Sequence, residues 1–146
     1  MSKQTSVAPA IVQRIKESFA AQGLMRHLGA ELAELQPGKA SIRLPYREEL
    51  TQHMGFFHAG ATSAIADAAG GYAGITLFPQ GSSILTVEYK LNLVAPAKGE
   101  WLEAVAKVIR SGRTLTVCQL EVFAVQDEDK TLVAVGQQTL IRVEDS

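Results

Sequence analysis

Ala59-Gly-Ala-Thr-Ser-Ala-Ile-Ala-Asp-Ala-Ala-Gly-Gly-Tyr-Ala73 is a run of small and apolar residues broken by one acid. Its length, and the Pro79 and Gly81 that close it, predict a helix over about Ala59 to Leu77. Small side chains at Ala61, Ala64, Ala68, Gly70, Gly71 and Ala73 would let a sheet approach that helix closely. Asp67 is the only Asp, Glu, Lys or Arg between Glu49 and Glu88. It is too deep in the helix to cap it and has no Lys or Arg at helical spacing. Its desolvation must therefore be offset by groups from elsewhere in the chain. That makes Asp67 the first candidate for chemistry.

Working toward the N-terminus, a loop over Glu49 to His58 precedes the helix. Before it, the alternation in Ala30 to Leu35, the Gln36-Pro-Gly38 turn and the run Ala40 to Pro45 predict a β-hairpin. A first helix is expected with Ser6 as its cap, Pro9 in its opening turn and Gly23 as its end; Ile11, Val12, Ile15, Phe19 and Ala20 share one face. Toward the C-terminus, extended runs cover Ser83 to Val94, Trp101 to Ser111, Thr114 to Gln126 and Thr131 to Val143. The last two separators are short enough for hairpins, so an antiparallel meander is expected in the C-terminal half. The pattern reads as an α+β domain in which one antiparallel sheet wraps around one long central helix. One helix can cover only one face of a sheet, so self-association is expected.

The chain has 146 residues, enough for one domain, with 47% hydrophobic and 20% charged residues. Residues 1–146 are read as a single domain, with an N-terminal helical segment over 1–28 and the core over 29–143. Fourteen Lys and Arg against fifteen Asp and Glu give a net charge of −1, which argues against nucleic acid or an anionic membrane as partner. The lone Cys118 excludes an internal disulfide, and the N-terminus lacks the pattern of a secretory signal, so a cytoplasmic setting is expected. The apolar stretch Leu50 to Val87 is too often interrupted to span a membrane. His53 and His58 lie five apart with no completing ligand, and no metal or cofactor is expected. Ser63 has neither a Gly-x-Ser-x-Gly turn nor a supporting histidine and acid, and reads as a helix-surface hydroxyl.

The run Gln52-His-Met-Gly-Phe-Phe-His-Ala-Gly-Ala-Thr-Ser-Ala-Ile-Ala-Asp67 resembles the signature of hotdog-fold acyl-CoA thioesterases of the phenylacetate-degradation (PaaI-like) type. That signature is His-Gly-Gly, six residues, then Asp or Glu on the hotdog helix. Thr86-Val-Glu-Tyr-Lys-Leu-Asn-Leu-Val-Ala-Pro-Ala97 resembles the strand that follows, and with the Arg110-Ser-Gly-Arg113 turn the likeness spans about Gly29 to Val143. It implies a hotdog fold, with Asp67 as general base or nucleophile toward the thioester. It also implies a backbone N–H at Ala59, in place of the family's glycine, to polarise the carbonyl. Gln52 stands where relatives often carry Asn to hold substrate or water, and Thr86 where they offer a hydroxyl across the dimer interface.

Thioester hydrolysis needs an attacking water or carboxylate and donors for the oxygen that becomes anionic. The N–H groups around His58, Ala59 and Gly60, at the positive end of the helix dipole, suit the second task. Asp67 lies nine residues after His58, about two and a half turns away. A site at a homodimer interface is therefore expected, with Asp67 and Thr86 from different chains and dimers assembling into a homotetramer. His58 reads as a loop residue whose ring fixes the helix start. Phe56 and Phe57 are candidates to line an acyl pocket or plug the core. Coenzyme A carries phosphates, for which Lys90, Lys98, Arg110 and Arg113 are the candidate partners. The leading expectation is an acyl-CoA thioesterase for a small or medium acyl or aryl-acyl group. A non-catalytic acyl-CoA sensing module and a hotdog hydratase or dehydratase are the alternatives; the absence of histidine from Ala59 to Val143 counts against the second.

Overall fold

The computed structural model describes residues 6–144, and the chain opens with two helices, α1 (Pro9–Ala21) and α2 (Gly23–Leu28). Ser6 does not cap α1: Ala8 stands at the cap with no side-chain bond and Pro9 opens the helix, where a missing N–H costs nothing. Nor does Gly23 end the helical segment. The chain kinks at the extended Gln22, Gly23 begins α2, and Gly29 closes it with a φ of 80°. The predicted hairpin follows as β1 (Glu31–Gln36) and β2 (Lys39–Pro45).

The central helix is α3 (Ala59–Ile75), two residues shorter than the sequence suggested. It stops early because Thr76 Oγ1 donates back to the Ala73 carbonyl and accepts from the Gly38 N–H of the hairpin turn. Four long strands complete the chain: β3 (Ser82–Leu93), β4 (Trp101–Ser111), β5 (Leu115–Gln126) and β6 (Asp129–Glu144).

All six strands join one antiparallel sheet in the order β1-β2-β4-β5-β6-β3. Only β4, β5 and β6 form the expected meander. β3 crosses to the far edge and pairs with β6, while β4 pairs with β2. The sheet packs one face on α3, with inward positions alternating with outward ones along β2, β4 and β5. Ile42, Leu44, Leu102, Leu120, Val122 and Leu140 are all fully buried, as are Ile65, Ala69 and Ala73 on the helix. The small residues of α3 set the closeness of this packing; a Cβ on Gly74 would lie 2.8 Å from Leu140 Cδ1.

β3 is different in kind. Residues 85–90 are exposed on both faces, and Leu85, Val87, Tyr89 and Leu93 are 42–60% exposed. Among the described residues nothing pairs with its outer edge. A long, apolar, unpaired edge strand is a surface that natural proteins ordinarily cover.

Candidate functional site

Asp67 is half-buried on the face of α3 turned toward β3, and its carboxylate is held by two groups from the sheet. Thr86 Oγ1 on β3 donates to Oδ1 at 2.7 Å. Gln138 Nε2 on β6 donates to the same Oδ1 at 2.6 Å and to the Asp67 carbonyl oxygen at 3.0 Å. These are the offsetting groups that the isolated acid demanded. Oδ2 has no hydrogen-bond partner among the described residues. Asp67 and Thr86 meet within one chain, which corrects the expectation that a dimer divides them. The crossover puts β3 beside β6, and so beside the Asp67 face of α3.

Asp67 opens into a cavity of about 220 Å³ lined also by Thr86, Gly71, Ile84, Met25 and Tyr72. Its far wall comes from the N-terminal helices. Tyr72 Oη sits 3.0 Å from Ser18 Oγ and accepts from Gln22 Nε2 at 2.6 Å, which fastens α1 over α3.

The helix start makes a second site. His58 Nδ1 accepts from the Gly60 N–H at 2.7 Å, so the ring caps α3 and its proton resides on Nε2. The His58 N–H donates to the Leu50 carbonyl at 2.8 Å. Of the three N–H groups expected to be free there, two are thus occupied. Only that of Ala59 lacks a partner among the described residues. Ala59 lines a cavity of about 450 Å³ with Gln52, Phe56, Phe57, Thr62 and Pro96. Gln52 Oε1 is spent on the loop, accepting from the Met54 and Phe56 N–H groups at 2.6 and 3.2 Å, while its amide nitrogen has no partner among the described residues. Phe57 is buried against Tyr46 at 5.4 Å, edge to face, whereas Phe56 is half-buried. Ser63 donates to the Gly60 carbonyl, as befits a helix hydroxyl.

Asp67 and Ala59 therefore open into different cavities of the same chain. The basic candidates line neither. Lys90 lies on a polar groove of the outer face with Glu88, Asn92 and Gln137. Arg110 and Arg113 are exposed at the β4–β5 hairpin, at the sheet end where Leu115, Ile141 and Leu85 share a register row. Among the described residues no three His, Cys, Asp or Glu side chains gather to hold a metal ion, and no helix is long and apolar enough to cross a membrane. Cys118 is fully buried, and burial pushes its thiol from 9.0 up to about 11.

Gln138 was missed by sequence reasoning, because alternation over Thr131 to Val143 does not say which of Gln137 and Gln138 faces in. On β6 the inward positions are Ala134, Gly136, Gln138 and Leu140, so an amide occupies an apolar register, 1% exposed. Gly70 makes room for it, since a Cβ there would sit 1.6 Å from Gln138 Oε1.

Comparison with known proteins identifies the family and the fold. Residues 54–131, which hold His58, Asp67 and Thr86, match the family model described as thioesterase superfamily. A thioesterase family protein of Silicibacter pomeroyi is 39% identical, with a TM-score of 0.89 over 92% of this chain and 98% of its own. Acyl-coenzyme A thioesterase 13 of Pongo abelii is 27% identical over 92% of this chain and 96% of its own. The PaaI protein of E. coli, 18% identical, shares the fold with a TM-score of 0.84 over 97% of this chain and 99% of its own. With more than half its length matched, the chain belongs to the thioesterase superfamily as a hotdog-fold hydrolase of thioesters.

Proposed function

We propose that the substrate is an acyl-CoA carrying a small or medium acyl or aryl-acyl group, cleaved by water to the free acid and coenzyme A. The observation that carries this reading is the Asp67 carboxylate, oriented through one oxygen and, among the described residues, unpartnered at the other beside an open cavity. In this reading Oδ2 acts as general base on the attacking water, or as nucleophile on the carbonyl carbon. The free Ala59 N–H, at the positive end of α3, accepts the developing negative charge on the carbonyl oxygen. Gln52, through its spare amide nitrogen, and Phe56, Phe57 and Gly60 line the approach.

The two halves of this machinery lie at opposite ends of β3. Thr86 is in its first half with Asp67, whereas Leu93 to Ala97, at and just past its end, line the Ala59 cavity. If two copies pair antiparallel along the open edge of β3, the Asp67 end of one chain meets the Ala59 end of the other. Such a homodimer would cover Leu85, Val87, Tyr89 and Leu93 and form two composite sites. Pairing of dimers into a homotetramer would further cover the row Leu85, Ile141 and Leu115 on the outer face. Lys90, Arg110 and Arg113 are then available to the coenzyme A phosphates from the surface. A reducing cytoplasm is the setting that suits the free thiol of Cys118.

The test is a panel of acyl-CoAs mixed with purified protein, with release of free thiol followed in time. Wild type is expected to hydrolyse at least one class. Asp67→Asn is expected to lose on the order of 10²-fold or more in rate while remaining folded. An Asp67→Asn protein as fast as wild type would remove the proposed chemistry.

A further inference from the structure

We propose that Gln138 is a positioning residue for Asp67, holding Oδ1 together with Thr86 so that Oδ2 alone meets the reacting group. The inference rests on the reading of Asp67 given above.

The amide sits in the sheet floor with its nitrogen directed at two acceptors, the Asp67 carboxylate at 2.6 Å and carbonyl at 3.0 Å. Because both partners only accept, the nitrogen end of the amide must face them. The other end gains nothing: Oε1 is buried without a hydrogen-bond partner among the described residues. A core side chain chosen for packing alone would be Leu or Met, which fills this volume without orphaning a carbonyl. The one task the amide performs that an apolar chain cannot is to grip the acid.

Helix and sheet are both adapted to this grip. Gly70, one turn after Asp67, leaves the space that Oε1 fills. Thr86 reaches Oδ1 from the neighbouring strand, and its own Oγ1 lies 3.5 Å from Gln138 Nε2. Two donors from different directions fix the rotation of the carboxyl plane. One donor would leave the carboxylate free to swing, and a small misplacement of a reacting group is costly.

The experiment compares wild type, Asp67→Asn, Gln138→Met and Gly70→Ala on one hydrolysed acyl-CoA, measuring kcat, KM and thermal midpoint. Gln138→Met should unfold no earlier than wild type, since it removes the orphan carbonyl. Its kcat should fall roughly 10- to 100-fold with KM little changed. Gly70→Ala, which displaces the same amide from the helix side, should show the same split and decides the matter if the Met variant fails to fold. A role in packing alone predicts the reverse, a lowered midpoint with kcat intact, and that result overturns the inference. If Asp67→Asn is dead while both other variants keep the wild-type kcat, only the positioning role falls. Should wild type release no thiol from any acyl-CoA, the proposed function falls and the inference with it.

Discussion

At the scale of single residues, the proposed function divides the site into groups that would touch the substrate and groups that hold them. His58 belongs to the second kind, because its Nδ1 is occupied by the Gly60 N–H. His58→Ala should cost about 1 kcal/mol through loss of the cap and lower the rate by less than about tenfold. His58→Asn, which keeps an acceptor, should recover most of the stability in a urea titration. Cys118 is a structural thiol with a measurable signature. Its pKa is raised from 9.0 to about 11 on folding, so the folded chain keeps a proton that the unfolded chain loses above pH 9. The sign is therefore destabilising with rising pH, by roughly 1.4 kcal/mol per unit between those values and nothing below them. Urea unfolding at pH 8 and pH 10 should show this slope for wild type beyond that of Cys118→Ala. Asp67 was legible in the sequence because charge is conspicuous where none surrounds it. Gln138 was not, since Gln137-Gln138 reads as an ordinary polar pair until the register of β6 decides which one faces in.

At the scale of elements, what the sequence conceals is pairing, because periodicity fixes which residues share a face and leaves the neighbouring strand open. The hairpin, the central helix and four strands were all legible from alternation and turn residues. The crossover of β3 was not, because the segment from Val94 to Glu100 looks like any connection until its ends are placed. That segment holds the helix start: the Phe57 N–H donates to the Ala97 carbonyl at 2.9 Å, which ties the Ala59 region to the end of β3. The β3–β6 contact depends on Gly136, where a Cβ would lie 1.9 Å from the Lys90 carbonyl oxygen. No side chain can give way there, since the obstacle is backbone. Gly136→Ala should therefore loosen β3 and lower the thermal midpoint by several degrees, a loss of about 2 kcal/mol or more. It should also reduce activity, because Thr86 moves with the strand. Circular dichroism melts beside thiol-release rates check both outcomes, and an unchanged midpoint would mean that the strand tolerates the shift.

At the scale of the whole molecule, Asp67 and the Ala59 N–H line separate cavities of one chain, so the proposed chemistry has no shared place for the two within a lone chain. The proposed antiparallel pairing along β3 would resolve this, and it predicts complementation between defective chains. Ala59→Pro deletes the free N–H and little else. Proline is favoured at the first helical position, and His58 already has the extended backbone, φ −66° and ψ 141°, that a residue before proline requires. Ala59→Pro and Asp67→Asn should each be folded and nearly inactive alone. When they are mixed under conditions that let subunits exchange, half of the dimers become mixed. In each mixed dimer one site takes Asp67 from the Ala59→Pro chain and the Ala59 N–H from the Asp67→Asn chain. About one quarter of the wild-type activity should return, following the slow time course of exchange. Sites built within single chains would recover nothing, however long the mixture stands. Val87→Glu sets like charges against each other across the same pairing, so it should give monomers by light scattering and abolish complementation while leaving the fold intact.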